Sequence, residues 1–211
     1  MAAIRLTVLS GGLSQPSSSR LLADRLGEAA ASALRDRGHE VEVTAIELRD
    51  LAREITDNLL TGFPAPALDR AIADVTGADG LIAVTPTFSA SFSGLFKSFV
   101  DVIEPERFAR LPVLMGATGG SARHSLVLEH ALRPLFSYLK AETAPTGVYA
   151  ASEDWAAGGA TGLQHRLDRA GAEFAAIVER NAGTRPAWDP FALDAGELLG
   201  PGGLAGGTSH G

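Results

Sequence analysis

Between Ser10 and Ser19 the chain reads Ser-Gly-Gly-Leu-Ser-Gln-Pro-Ser-Ser-Ser, five hydroxyls and a Gly-Gly pair within ten residues. The glycines let the backbone turn tightly and the serines offer donors. The loop then delivers the chain to the start of a helix, where free N–H groups and the macrodipole favour negative charge. Such a loop can hold a phosphate without a buried cation. It is neither a Walker motif, lacking the Gly-Lys-Ser/Thr ending, nor the Gly-x-Gly-x-x-Gly dinucleotide fingerprint. A plain helix cap at Ser17 or Ser18 is the other reading. One cap needs one serine, and this loop carries five.

Two further loops are built of small residues. Pro86-Thr-Phe-Ser-Ala-Ser-Phe-Ser-Gly94 follows a buried apolar run, so a flat ring can approach its backbone, with Phe88 as a border. Thr118-Gly-Gly-Ser121 follows another, and its N–H groups can face the carbonyl oxygens of a heterocycle. Each taken alone also reads as an ordinary turn. Their common place along the chain is what links them.

The elements that must position these loops alternate. Ile4–Leu9 is a short strand. Leu22, Leu26, Ala29, Ala30, Ala33 and Leu34 mark one face of a helix that ends near Gly38. Val41, Val43 and Ala45 alternate as the second strand. Residues 46–66 read as irregular, and a helix is expected over Ala67–Thr76. Gly80–Thr85 is apolar nearly throughout, as a central parallel strand is, and Pro86 is expected to stop it. A helix over Phe92–Ile103, a fourth strand over Leu111–Ala117, a long helix over Arg123–Ala141, a fifth strand over Thr143–Tyr149 and a last helix over Gly162–Asn181 complete the pattern. This predicts an α/β fold, a doubly wound five-stranded parallel sheet. The flavodoxin-like order 2-1-3-4-5 is favoured over the Rossmann order by the strand count. In either order ligands lie beyond the carboxyl ends of the strands, where all three loops fall. The expected domain spans residues 1–185. The Gly-rich stretch 186–211 is expected to be a mobile tail or an arm on a partner subunit.

The 211 residues carry a formal charge of −7, which disfavours a nucleic-acid partner. There is no cysteine, so disulfides, thiolate catalysis and iron–sulfur or zinc–thiolate sites are excluded. The N-terminal apolar stretch is too short for a signal-peptide core, and no apolar run is long enough to span a membrane. A cytoplasmic protein is expected.

The stretch Ala78–Asp101, the segment Ala117-Thr-Gly-Gly-Ser-Ala-Arg-His-Ser-Leu126 and Leu132-Arg-Pro-Leu beyond it resemble the NADPH-dependent FMN reductases of the flavodoxin-like superfamily. The likeness covers about residues 3–180 and is greatest to the reductase components of two-component alkanesulfonate monooxygenase systems, which supply reduced FMN to a separate luciferase-like monooxygenase. The resemblance implies that Ser10, Ser17, Ser18 and Ser19 hold the FMN phosphate. It implies that Pro86, Thr87, Phe88 and Ser89 border the isoalloxazine, and that Thr118, Gly119, Gly120 and Ser121 meet its far edge. It implies homodimers or homotetramers. It also implies a π-bulge at a subunit interface, near His130, linked to flavin release. Lys97 and Asp101 match the family's Leu-Lys-x-x-x-Asp pattern and can pair one turn apart. The chain departs from its relatives at Ser14, where an arginine is frequent, and at Ser89, where a lysine occurs. FMN is therefore expected to be held by neutral donors and to exchange.

The implied reaction is hydride transfer from NADPH or NADH to FMN, with nicotinamide C4 placed near flavin N5. The cofactor carries the chemistry and the protein supplies position, so no catalytic side chain and no metal are expected. N–H groups near Gly119 and Gly120 would stabilise charge on the reduced ring. Two other readings use the same loops: a quinone or azo reductase with retained FMN, and a flavodoxin-type electron carrier. The apolar residues Phe96, Phe99, Val100, Leu132 and Leu135 exceed what one sheet face needs, which supports an oligomer.

Overall fold

The computed structural model describes residues 2–156 and 160–184. The expected arm at 186–211, and the domain boundary before it, lie outside the described residues. The chain runs β1 (Ile4–Ser10), α1 (Ser18–Arg35), β2 (Val41–Glu47), α2 (Ala52–Thr61), α3 (Pro66–Thr76), β3 (Gly80–Phe88), β4 (Ser91–Phe92), α4 (Gly94–Asp101), β5 (Pro112–Gly119), α5 (Arg133–Tyr138), β6 (Glu142–Thr143), β7 (Val148–Ala151) and α6 (Ala160–Asn181). The sheet order is β2-β1-β3-β5-β6, with β7 also on β5 and β4 on β3. All pairs are parallel except β3–β4. This is the flavodoxin-like order, with the fifth position shared by β6 and β7. Pro145 lies in the gap between those two, where a residue without an N–H interrupts the ladder least.

The central strands carry the fold. Residues Gly80–Thr85 of β3 and Pro112–Thr118 of β5 are buried throughout, because helices cover both faces. On one face α1 and α6 enclose Leu22, Leu26, Phe174 and Val178. On the other, Phe96, Phe108 and Phe136 meet edge to face, with centroids 6.5 Å and 6.4 Å apart. Gly38, at φ +88°, makes the left-handed turn that closes α1.

Four expectations change. Pro86 does not stop β3. It takes the last parallel pairing, opposite Thr118, and the strand then finds new partners in a hairpin with β4. Residues 46–66 contain α2, whose apolar face is seated by the fully buried Ile55 and which ends at Gly62, φ +78°. The long helix over 123–141 is broken into a 3-10 turn at Ala122–His124, a π-helical turn at Leu128–Leu132 and the short α5. Pro134 has no N–H to return to the His130 carbonyl, which removes one rung of a regular α-ladder there. Finally, Phe96, Phe99, Val100 and Leu132 are all buried within the chain's own core. They are not spare surface. The large apolar side chains that do face solvent include Leu60 and Phe63, 82% and 81% exposed, at the end of α2.

Candidate functional site

The three loops meet at the carboxyl edge of the sheet around a cavity of about 420 Å³. This size suits a cofactor-scale ligand. Gly12, Leu13, Ser14, Ser17, Ser18 and Ser19 line it from the first loop. Pro86, Thr87 and Phe88 line it from the second, and Thr118, Gly119 and Gly120 from the third.

Local rules fix each wall. The first loop turns through a cis Gln15–Pro16 bond before α1 begins. Ser17 is the N-cap: its Oγ accepts from the Arg20 N–H at 3.2 Å and its carbonyl accepts from the Leu21 N–H at 3.1 Å. The N–H groups of Ser18 and Ser19, ahead of these, have no helical carbonyl one turn back and remain available to a ligand. A Cβ at Gly12 would lie 2.0 Å from Ser17 Oγ, so any larger residue there would displace the capping hydroxyl. The buried Ser19 hydroxyl shares a 2.7 Å hydrogen bond with the Thr118 hydroxyl, which ties the first loop to the third across 99 residues of sequence. Ser93 ties the second to the first. Its N–H donates to Thr85 Oγ1 and its Oγ donates to the Gly11 carbonyl.

The β3–β4 turn holds Ser89 and Ala90 at φ +48° and +67°. Two successive left-handed residues are the geometry of a two-residue type I′ hairpin, and it leaves Phe88 48% exposed at the cavity rim. Under the third loop, the Tyr149 hydroxyl donates to the Ser121 carbonyl at 3.0 Å. It sits so close to Gly119 that a Cβ there would lie 2.1 Å away. Burial pushes the Tyr149 phenol above its ordinary pKa. Beside it, Thr87 Oγ1 is buried with its hydrogen-bonding geometry unfulfilled among the described residues.

Three of the expected site residues do not line the cavity. Ser10 is buried beneath the first loop, where its Oγ accepts from the Gly12 N–H. Ser89 forms the hairpin turn. Ser121 caps the 3-10 turn. Two lining residues, Ser152 and Trp155, were not among the candidates. They follow β7, the fourth carboxyl strand end at this edge, and the rule that selects strand ends applies to them equally.

No charged side chain lines the cavity among the described residues. Arg20, the nearest cation in sequence, is held by Asp24 and Glu47 at 2.8 Å each. Lys97 reaches both Asp101 oxygens, at 2.5 and 2.7 Å. No group of three metal-ligating side chains occurs among the described residues. No described helix is long and apolar enough to cross a membrane.

A family model described as NADPH-dependent FMN reductase matches residues 4–156. The chain is 41% identical over 153 residues to the NADH-dependent FMN reductase SfnE of Pseudomonas putida, covering 72% of this chain and 80% of that one. It is 34% identical over 151 residues to an NADPH-using FMN reductase of Pseudomonas aeruginosa, covering 72% and 78%. An oxidoreductase of Corynebacterium diphtheriae solved by X-ray crystallography superposes with a TM-score of 0.82 at 39% identity, covering 85% of this chain and 99% of that one.

Proposed function

The chain belongs to the NADPH-dependent FMN reductase family and is an NAD(P)H:FMN oxidoreductase, and from that premise we propose that it treats FMN as an exchanging substrate and passes it, reduced, to a separate monooxygenase. The residues present suit a flavin. The first loop supplies neutral donors and a helix N-terminus for a phosphate, and the glycines leave a slot free of side chains.

When bound, the flavin supplies the redox chemistry by accepting a hydride from the nicotinamide of NADPH or NADH. The chain's own residues bind and orient. Ser17, Ser18 and Ser19, with the open N–H groups of α1, would hold the phosphate. Pro86, Thr87 and Phe88 would border one side of the ring. Thr118, Gly119 and Gly120 would meet its far edge, where backbone N–H groups favour negative charge. Ser10, Ser89 and Ser121 act by shaping these loops, not by lining the cavity.

The observation that carries the exchange reading is the uncharged lining. A phosphate monoester carries about −1.5 to −2 charges. Hydrogen bonds between such an anion and neutral donors are weaker than a bidentate guanidinium clamp. The family relative named SfnE and the π-helical turn at Leu128–Leu132 are consistent with delivery to a partner. The likeness noted above to reductases of luciferase-like monooxygenase systems points to that class of partner. Leu60 and Phe63 give copies of the chain an apolar surface for a homodimer or homotetramer.

The test is anaerobic reduction of FMN in large excess over protein by NADPH or NADH. Exchange predicts that the whole flavin pool is reduced. Reduction that stops at one equivalent per chain would favour the retained-flavin reductase of quinones or azo compounds.

A further inference from the structure

Trp155 stands in the cavity wall, and nothing above assigns it a role. It closes the 3-10 turn Ser152–Trp155 that follows β7. That turn is firmly tied. Asp154 Oδ2 accepts from the Ala151 N–H at 2.8 Å, and Asp154 Oδ1 pairs with Arg166. Arg166 also donates to the Tyr149 carbonyl at 2.6 Å. The Asp154 charge is thus offset locally. The Trp155 ring packs against the core on the α1/α6 face, and the Arg25 guanidinium lies over it, 5.6 Å from its centroid. Arg25 makes no salt bridge with a carboxylate among the described residues.

The side of the sheet decides which end of a ligand this wall meets. The first loop feeds α1, and α1 lies on the same face as Trp155 and α6. Phe88 belongs to the hairpin that leads into α4, and α4 packs on the opposite face. Arg25 sits on α1 seven residues after Ser18, about 10 Å along the helix axis. The indole thus lines the same cavity as the serine loop and carries on its face a cation that does not itself line the cavity. A guanidinium over one face offsets the ring's negative quadrupole. It also places a positive charge behind the aromatic wall, on a residue that is exposed to solvent, so its influence is sensitive to salt.

We propose that Trp155, braced by Arg25, is the positioning residue for the phosphate end of the flavin and makes the site discriminate FMN from riboflavin. The inference rests on the FMN-reductase reading of the same cavity. It also reconciles the uncharged lining with an anionic ligand, because the cation acts from behind an aromatic wall.

The test is equilibrium titration of the full chain with FMN and with riboflavin, followed by quenching of flavin fluorescence, at low and high salt. Wild type is expected to bind both, FMN more tightly. Trp155→Ala and Arg25→Gln are each expected to weaken FMN about tenfold and to leave riboflavin unchanged. Trp155→Phe, which keeps a ring under Arg25, is expected to restore most of the difference. The salt dependence of FMN binding should shrink in Arg25→Gln. Arg25→Gln is a change on a partly exposed helix face, so it keeps the question answerable if Trp155→Ala fails to fold. Parallel loss of both ligands would overturn the proposal by placing Trp155 against the ring. No change in either would make it a packing residue only. A folded wild type that binds neither flavin would instead overturn the reading on which the proposal rests.

Discussion

At the scale of single residues, the site depends on two glycines whose missing side chains are filled by neighbouring hydroxyls. A Cβ at Gly119 would lie 2.1 Å from the Tyr149 hydroxyl. Gly119→Ala is therefore expected to destabilise the fold by about 1–3 kcal/mol, as overpacking does. Tyr149→Phe loses the bond to the Ser121 carbonyl, about 1 kcal/mol. The double variant should cost less than the sum, because removing the hydroxyl makes room for the methyl. Denaturant unfolding of the four proteins measures this coupling, and strict additivity would show that the contact is not the cause. Tyr149 also gives a pH signature. Its folded pKa is raised by burial, so the unfolded chain releases this proton first as pH rises past about 10. Stability should be intact below that value and fall above it, with a shallower fall in Tyr149→Phe. Alkaline unfolding curves of the two proteins check it.

At the scale of elements, the π-helical turn is anchored as well as interrupted. Arg133 holds Glu129 at 2.5 and 2.9 Å and reaches Thr143 Oγ1 and the Ala144 and Pro145 carbonyls, which fill the gap between β6 and β7. Its hydrogen bond lowers the Glu129 pKa. A lowered folded pKa contributes stability above the unfolded value, and this is lost as pH falls through the folded one. Glu129→Gln should therefore lower stability at neutral and alkaline pH and converge with wild type in acid, which denaturant unfolding at several pH values measures. The strand and helix sequence, and the edge where the loops meet, were legible because apolar runs and helical periodicity are set locally. The broken helix was not legible from periodicity, since its interruption combines the N–H missing at Pro134 with the hold of Arg133 on Thr143, Ala144 and Pro145. The α2 helix was hidden differently. Leu51, Ile55 and Leu59 have helical spacing and Gly62 is a proper stop, but Pro64 and Pro66 drew the whole stretch into one loop. Ser10, Ser89 and Ser121 have the same composition as the lining residues, and only the backbone path separates them. Trp155 lay at a strand end that composition did not mark.

At the scale of the whole molecule, one sheet edge gathers residues from four strand ends into one uncharged cavity. The chain's net charge of −7 does nothing to hold an anion there, so in the proposal above that work falls to hydroxyls, helix N–H groups and Arg25 behind Trp155. Association of copies is argued from Leu60 and Phe63. Leu60→Glu with Phe63→Ser should reduce the mass seen by light scattering after size exclusion, while an unchanged mass would move the interface elsewhere. The most direct test of the account is steady-state oxidation of NADPH and of NADH by the purified chain as FMN is added. The account predicts oxidation that rises from background with FMN concentration and saturates with at least one of the two nucleotides. Oxidation that stays at background with both, across the full range of FMN, would contradict it.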